Sequence, residues 1–447
     1  VSTNQLLIIA AVGIFVFAAA SHVGWAVACL AGYVITFGGV TTSLIIVGSQ
    51  TRHTGIAPST PVVWLGDALL LGAVLAVWAG GGRLRIGWLL AAFGLPALVL
   101  EITVWGGTPA QWSGLKLYVT AIVAFAVGRW LSENLTEKSA LLLASVCAAV
   151  CFLQLVFTVA QSRGVMLLRA GGPDTENWIT SEGRMVGLFS HPAILGKTVF
   201  LLLCFLLPLS TCRRPLTRRL TYTAVAFGSL ATLFTLSRAN ILAIGIAIVL
   251  WVLLSGRASS IAARLGVLAV SIGLIVLNGG LIGALQDRQR ADPGGGYRDR
   301  LLQTGLGQIE SAPFTGTGPN FYTDVVGRYD RLAAAGFPVH NSFLYPAAEL
   351  GIPLAILLFV PIVLTIVVRI SRIRPHLGLE VQTAALLSIF PGLLLIAWTG
   401  WGMIATEALP LWFMGFGFLA ANNNFFNRAQ PPHINSEALA DTSTART

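Results

Sequence analysis

The chain has 447 residues, 55% hydrophobic and 10% charged, with a formal net charge of +10. A mean hydropathy of +0.79 excludes a water-soluble globule, because so apolar a chain must fold with lipid as its main solvent. The positive balance sits in short clusters between apolar runs and in a few loop arginines, so it gives no argument for nucleic acid as a partner.

In chain order the apolar runs occupy 5–20, 24–48, 61–79, 86–105, 113–131, 139–161, 187–210, 220–236, 239–254, 265–285, 343–368, 380–398 and 408–421. Most are near the ~20 residues that cross a hydrocarbon core, which predicts an all-α, polytopic integral membrane protein with about 12–13 transmembrane helices. Only Ala-Ser-His22-Val-Gly24 separates the first two runs, and a smaller number with one re-entrant segment fits equally well. No ten-residue alternating pattern appears, which excludes a strand barrel.

Lys and Arg accumulate on the cytoplasmic side of short loops. The stretches Cys212–Arg219, Arg257 with Arg264, and Arg369–Arg374 fall on one face when helices alternate, joined by Arg83-Leu-Arg85. The opposite, outer face then holds 162–186, the Ser237-Arg238 junction, the large loop 286–341 and the corner 399–407, and alternation carries the amino terminus outside as well. The resulting organisation is amino-terminal helices over 1–162 and helices with an outer loop and arginine motifs over 163–285. The large extracytoplasmic loop 286–341, carboxy-terminal helices over 342–421 and a disordered cytoplasmic tail over 422–447 complete it.

Five cysteines, Cys29, Cys147, Cys151, Cys204 and Cys212, lie in or beside apolar runs, which predicts core packing and no disulfide framework or zinc site. Tryptophans near run ends, including Trp64, Trp78, Trp88, Trp105, Trp398 and Trp412, read as interfacial anchors. No internal repeat of transporter type is visible.

The polar segment 286–341 is where aqueous chemistry has room. Within it Arg298 begins a helix whose Leu302, Leu306 and Ile309 recur at helical spacing, with Arg298 and Arg300 as its basic residues. Pro313 stops that helix, Gly316-Thr-Gly318-Pro319 makes a turn, and 321–335 can form a second amphipathic helix. Phe337-Pro338 then delivers His340 and Asn341 to the start of the next apolar run.

Two further constellations stand at run ends. Arg238, between two apolar runs with almost no loop, is expensive unless it serves a cavity, binds an anion or snorkels to the interface. Arg184 ends an outer loop just before His191-Pro192, where the histidine reads more simply as a turn residue. Asp67, Glu101 and Glu349 are ionisable groups on apolar runs. The first two read as structural partners of lysines such as Lys116 or Lys197, whereas Glu349 is placed two to three turns past His340 on a face that lines the site.

Four pieces in order resemble the bacterial O-antigen ligase and O-antigen polymerase superfamily. They are Arg184-Met-Val-Gly-Leu-Phe-Ser-His-Pro-Ala-Ile-Leu-Gly196, Thr235-Leu-Ser-Arg238, Tyr297-Arg298 through Ala312-Pro313-Phe-Thr-Gly316-Thr-Gly318-Pro-Asn-Phe321, and His340-Asn341-Ser-Phe-Leu344 followed by Glu349-Leu-Gly351. The resemblance spans roughly 184–351; His191 stands where many relatives carry asparagine and receives no catalytic role.

The resemblance implies a glycosyltransferase of the bacterial cytoplasmic membrane, active on its outer face, moving a glycan from undecaprenyl (polyprenyl) diphosphate to a hydroxyl of a glycan, lipid or protein acceptor. Direct displacement with inversion and without cofactor is the geometry expected of such an enzyme, and metal independence is expected because the outer loops hold no acidic pair with metal-ligand spacing and arginine forks suit phosphate oxygens. Arg298 and Arg238 are then expected around the leaving diphosphate, and His340 takes or orients the acceptor proton. Arg184, Arg300, Asn341 and Glu349 are expected to bind substrate. Polysaccharide polymerisation and protein O-glycosylation share that site; a lipid or glycan flippase is the alternative of another class, and it would spread its charges along a central path.

Overall fold

The computed structural model describes residues 3–36, 45–47, 56–85, 87–165, 178–180, 182–255, 283, 286, 297–373, 379–400, 402–406, 408–422 and 424–427. The apolar run 265–285 falls almost wholly outside them, as do Arg257, Arg264, Arg374, most of 286–296 and the tail beyond 427.

The protein is an all-α polytopic membrane protein. Its long helices are α1 (Thr3–Val23), α2 (Trp25–Ile35), α3 (Leu65–Ala79), α4 (Gly87–Leu100), α5 (Pro109–Glu133), α6 (Glu137–Ser162), α7 (Pro192–Leu209), α8 (Pro215–Leu233) and α9 (Arg238–Leu254). The loop carries α10 (Arg298–Ser311), α11 (Tyr322–Val326) and α12 (Arg331–Ala334), followed by α13 (Leu344–Leu350), α14 (Ile352–Ser371), α15 (Val381–Thr399), α16 (Leu409–Ala420) and α17 (Asn424–Asn427). Among the described residues seven helices are long and apolar enough to cross a membrane, and four more apolar helices are shorter. The run predicted over 24–48 is interrupted: α2 ends at Ile35, and Ile45–Val47 (β1) pairs antiparallel with Val63–Trp64 (β2).

Local chemistry explains where the helices start. Thr108 caps α5 by accepting from the Gln111 amide, and Gln111 Oε1 accepts from the Thr108 amide at 3.0 Å, with Pro109 in the first turn. Thr136 and Ser139 do the same for α6. Pro192, Pro215 and Pro353 occupy first-turn positions of α7, α8 and α14, where the missing amide costs nothing.

Inside lipid the helices gain little from the hydrophobic effect against one another, so close backbone approach and polar contacts hold them. Between α5 and α16 a side chain at Gly128 would overlap the Met414 carbonyl, and one at Gly417 the Phe125 carbonyl. α7 is the central helix, with 89% of its residues buried. α1 and α4, at 22% each, face outward.

The two ends differ. At one, Arg369 is 1% exposed and donates to the Leu419 carbonyl at 2.8 Å and to Glu380 at 2.8 Å, closing the end of α16. At the other, α5 begins beside the loop: Ala110 accepts from Asn320 at 3.2 Å. All five cysteines are buried and free. Trp78, Trp88 and Trp398 are exposed as anchors would be, whereas Trp64, Trp105 and Trp412 are buried. Trp412 packs on Phe343, Phe359 and Phe413, and Trp105 donates to the Thr315 carbonyl at 2.7 Å, so those two rings serve tertiary packing.

The loop departs from expectation in two places. The buried face of α10 is Leu301, Gly305, Gln308 and Ile309, while Leu306 is exposed, because Gly305 lets the helix settle onto Val339. A single helix over 321–335 does not form. Gly327 ends α11, where a side chain would overlap the Thr323 carbonyl, and Asp330 caps a separate α12 by accepting from the Leu332 and Ala333 amides at 2.8 and 3.0 Å.

Candidate active site

The site end is assembled by contacts between chain segments far apart in sequence. Residues 184–185 are laid along the end of α8: the Met185 amide donates to the Phe234 carbonyl at 3.0 Å and Arg184 Nε to the Thr235 carbonyl at 3.1 Å. Arg184 is 5% exposed, its guanidinium lies 5.2 Å from the Trp178 ring centroid, and it reaches Glu182 at 3.3 Å. Leu236, with φ 51, turns the chain sharply so that Arg238 opens α9 half-buried. Asn240, one turn into α9, donates to the Ala193 carbonyl at 3.0 Å. Gly196 provides the room for this, since a side chain there would press on the Asn240 amide.

His191 caps α7, with Nδ1 accepting from the Ala193 amide at 3.0 Å and its ring edge-on to Trp178 at 4.5 Å. It is the turn residue the sequence suggested.

Across α7 the same end is closed by 340–342 and the end of α15. Ser342 donates from its amide to the Ala397 carbonyl at 2.8 Å and from Oγ to the Gly400 carbonyl at 2.6 Å. The Lys197 ammonium lies against Gly400 and Gly402. His340 is half-buried between this corner and α10, and both Arg298 and Lys197 act on it electrostatically. Burial, first, holds the His340 imidazole below its usual pKa; the Pro338 carbonyl opposes this, and the Arg298 and Lys197 charges add to it. Because a carbonyl only accepts, the 2.9 Å contact from Nδ1 to Pro338 O puts the proton on Nδ1. Nε2 is then the ring's lone-pair nitrogen.

The structure thus brings Arg298 and Lys197 within electrostatic reach of His340, while Asn240, two residues past Arg238, meets the first turn of α7 and Arg184 holds the end of α8. Two details of the sequence reading change. His340 is not at a helix start, because α13 begins at Leu344, and Glu349, inside α13, is therefore not on one continuous helix with it.

Three predicted substrate-binding residues hold the scaffold. Asn341, 2% exposed, accepts from the Phe343 and Leu344 amides at 2.9 and 3.0 Å, fixing the turn behind His340. Arg300 reaches Asp330 at 3.2 Å with its side chain 58% exposed. Burial opposes ionisation of Asp330, but the Ala333 and Leu332 amides together with Arg300 outweigh it and hold the carboxyl below its usual range.

Glu349 is 0% exposed and accepts from Tyr118 Oη at 2.9 Å and from the amides of Asn320 and Tyr322 at 2.9 and 3.4 Å. Its backbone carbonyl accepts from the Gly318 amide at 2.8 Å. Gly316 is the contact point of this pairing: a side chain there would overlap the Glu349 carbonyl. Asn320 completes the network, bridging to Ala57 and Pro58 with 2.9 Å from the Ala57 amide to its Oδ1. Sequence reasoning passed over Asn320; its signal was the Gly-Pro-Asn turn, where a left-handed φ of 57 suits asparagine.

Of the other intramembrane acids, Asp67 pairs with Lys116 as expected and caps α3 by accepting from the Trp64 amide at 3.0 Å. Glu101, in a single π turn at Glu101–Trp105, is 0% exposed and pairs with neither lysine; neither carboxylate oxygen has a hydrogen-bond partner among the described residues.

Residues 223–360 match the family model described as O-antigen ligase, Wzy_C, which supports the O-antigen ligase superfamily. The matched segment runs from within α8 to within α14 and contains Arg238, Arg298, Arg300, His340, Asn341 and Glu349. Arg184 and Lys197 lie outside it. The class of activity the match carries is glycan transfer by a membrane enzyme of ligase or polymerase type. No curated protein matches the chain.

Proposed function

We propose, with the O-antigen ligase superfamily as premise, that the chain transfers a glycan from an undecaprenyl or similar polyprenyl diphosphate to an acceptor hydroxyl at the outer face of a bacterial cytoplasmic membrane. The reading is supported by the electrostatic effect of Arg298 and Lys197 on His340, and by Asn240, two residues past Arg238, bonding to the first turn of the helix that carries Lys197.

Outside the cytoplasm a sugar donor must arrive already activated on lipid, and its leaving group is a membrane-anchored diphosphate. As the anomeric carbon–oxygen bond breaks, the electron pair moves onto that diphosphate. Guanidinium groups fixed at the site meet the growing charge without reorganising. Arg298 and Arg238 have this role, with Arg184 supporting the wall that holds Arg238.

The acceptor oxygen attacks from the opposite side, inverting the anomeric centre, and its proton passes to His340 Nε2. The Nδ1 bond to Pro338 and the depressed pKa keep that nitrogen unprotonated near neutral pH. No covalent enzyme intermediate forms. Concentration of the charges at one end fits a transferase better than a flippase, which needs polar groups along its whole path.

The test is to incubate the purified chain with an undecaprenyl-diphosphate-linked glycan and separate glycan, lipid A-core and protein acceptors, with and without EDTA. The expected result is release of undecaprenyl diphosphate with extension of one acceptor, unchanged by chelator. Donor left intact with every acceptor would refute the reading, and abolition by EDTA with rescue by magnesium would refute its metal independence.

A further inference from the structure

Lys197 is a lysine that the sequence offered only as a structural partner for a buried acid. It lies one and a half turns into α7, is 7% exposed, and sits on a helix whose residues are 89% buried, so it has no lipid face along which to snorkel. Among the described residues its ammonium makes no salt bridge, and no side-chain hydrogen bond involves it. It packs against the bare backbone of Gly400 and Gly402, where a side chain at Gly402 would overlap it. Among the described residues the charged group that acts on it is Arg298 on α10, which carries the same sign.

A buried ammonium without a counter-charge is strongly disfavoured, and adding like charges worsens it. The arrangement becomes favourable when a compact anion of more than one charge enters from the loop side. A flexible ammonium with three donors suits one phosphate of a diphosphate, whereas arginine forks suit paired oxygens.

We infer that Lys197 is a further substrate-contacting residue, placing its ammonium on a phosphate of the lipid diphosphate, with Gly402 kept bare to leave it room. The inference rests on the transferase reading above and adds a charge that lies outside the matched family segment. Lys197 exchanges no proton in the reaction. Its charge stabilises the diphosphate both bound and leaving, while the acceptor proton still goes to His340.

The test uses the full chain in lipid nanodiscs, with undecaprenyl diphosphate and undecaprenyl monophosphate as probes and the His340 imidazole titrated by NMR. Lys197→Met should bind the diphosphate at least tenfold more weakly, with a smaller change for the monophosphate, and Lys197→Arg should recover most of the loss. In the Met variant the His340 midpoint should rise, because one of the two cations that depress it is gone while Arg298 remains. A side chain packed only for structure would leave diphosphate affinity unchanged.

Should Lys197→Met fail to fold, Gly402→Ala keeps the lysine and displaces only its ammonium; a tenfold loss of diphosphate binding supports the assignment and wild-type binding overturns it. Wild-type binding with unchanged affinity in the Met variant overturns the lysine alone. Failure of the wild-type protein to bind undecaprenyl diphosphate overturns the donor assignment, and the lysine's role with it.

Discussion

Two polar regions lie side by side at the loop end of the bundle, and they use their groups in opposite ways. Around Asn320 and Glu349, buried donors and acceptors meet one another across four chain segments, all drawn to one turn. Around Lys197 and Arg298, two cations act on each other and on the neutral His340 ring. A self-satisfied network fixes a loop, while an excess of one sign holds an electrostatic demand that substrate meets. Replacements in the first region should therefore cost stability, and those in the second should cost turnover.

The largest break in this comparison is expected at the arginines. Arg298→Lys and Arg238→Lys keep the charge but lose the bidentate fork, and kcat should fall about 10²–10³-fold, on the order of 3–4 kcal/mol of transition-state stabilisation. Melting temperature in detergent should stay near wild type. Wild-type kcat in both variants would remove the diphosphate assignment.

Next comes the scaffold. Asn320→Ala strips partners from the Ala57 amide and from carbonyls of Ala57, Pro58 and Ala110. At about 1–3 kcal/mol for a buried group left unsatisfied, chemical denaturation should show a loss of roughly 3 kcal/mol. The folded fraction that remains should turn over at the wild-type rate. A stable variant with reduced kcat would place Asn320 in the chemistry.

His340 gives a pH-dependent effect. Its folded pKa is depressed, so the neutral base persists to lower pH than an ordinary histidine of about 6.5. Transfer should rise with pH through a midpoint below that value and then level off. A midpoint above it in the pH profile of kcat/KM, which reports the free enzyme, would contradict the burial and the two neighbouring cations. His340→Gln separates roles, since retained turnover would indicate orientation of the acceptor without proton transfer.

The smallest effect belongs to Arg300. Its side chain is mostly exposed, so solvent screens the Asp330 contact and Arg300→Ala should cost less than about 1 kcal/mol. Because the Asp330 carboxyl is held below its usual range, its stabilising contribution is full above the unfolded value of ~3.9 and is lost as pH falls through the folded value. The melting difference between wild type and Asp330→Asn should shrink on acidification through that window; a difference that grew would reverse the sign of the assignment.

The helices were legible because continuous apolar runs and first-turn prolines are local signals; Arg298 and His340 stood out as candidates because they lie in the long polar segment, and Arg238 because it interrupts apolar sequence. What escaped depends on contacts between distant segments. Asn320 hydrogen-bonds a partner 263 positions away, which no local pattern encodes. The face of α10 was misjudged because leucine spacing outweighed Gly305, whose bare backbone decides which side packs on Val339. Glu349 was read as facing substrate because an acid in an apolar run looks costly; the structure offsets that cost with the Tyr118 hydroxyl and backbone amides. Lys197 escaped because α7 reads as uniformly apolar around it, and only the fold sets Gly402 over its ammonium.

The most direct measurement is transfer from a purified undecaprenyl-diphosphate glycan by wild type and His340→Ala side by side, with melting and donor binding read on the same samples. The account predicts that wild type releases undecaprenyl diphosphate with an inverted glycosidic product. It predicts that His340→Ala binds donor and melts as wild type does while transfer falls at least a hundredfold. Wild-type turnover in His340→Ala, or a loss of turnover matched by an equal loss of folded protein, would contradict it.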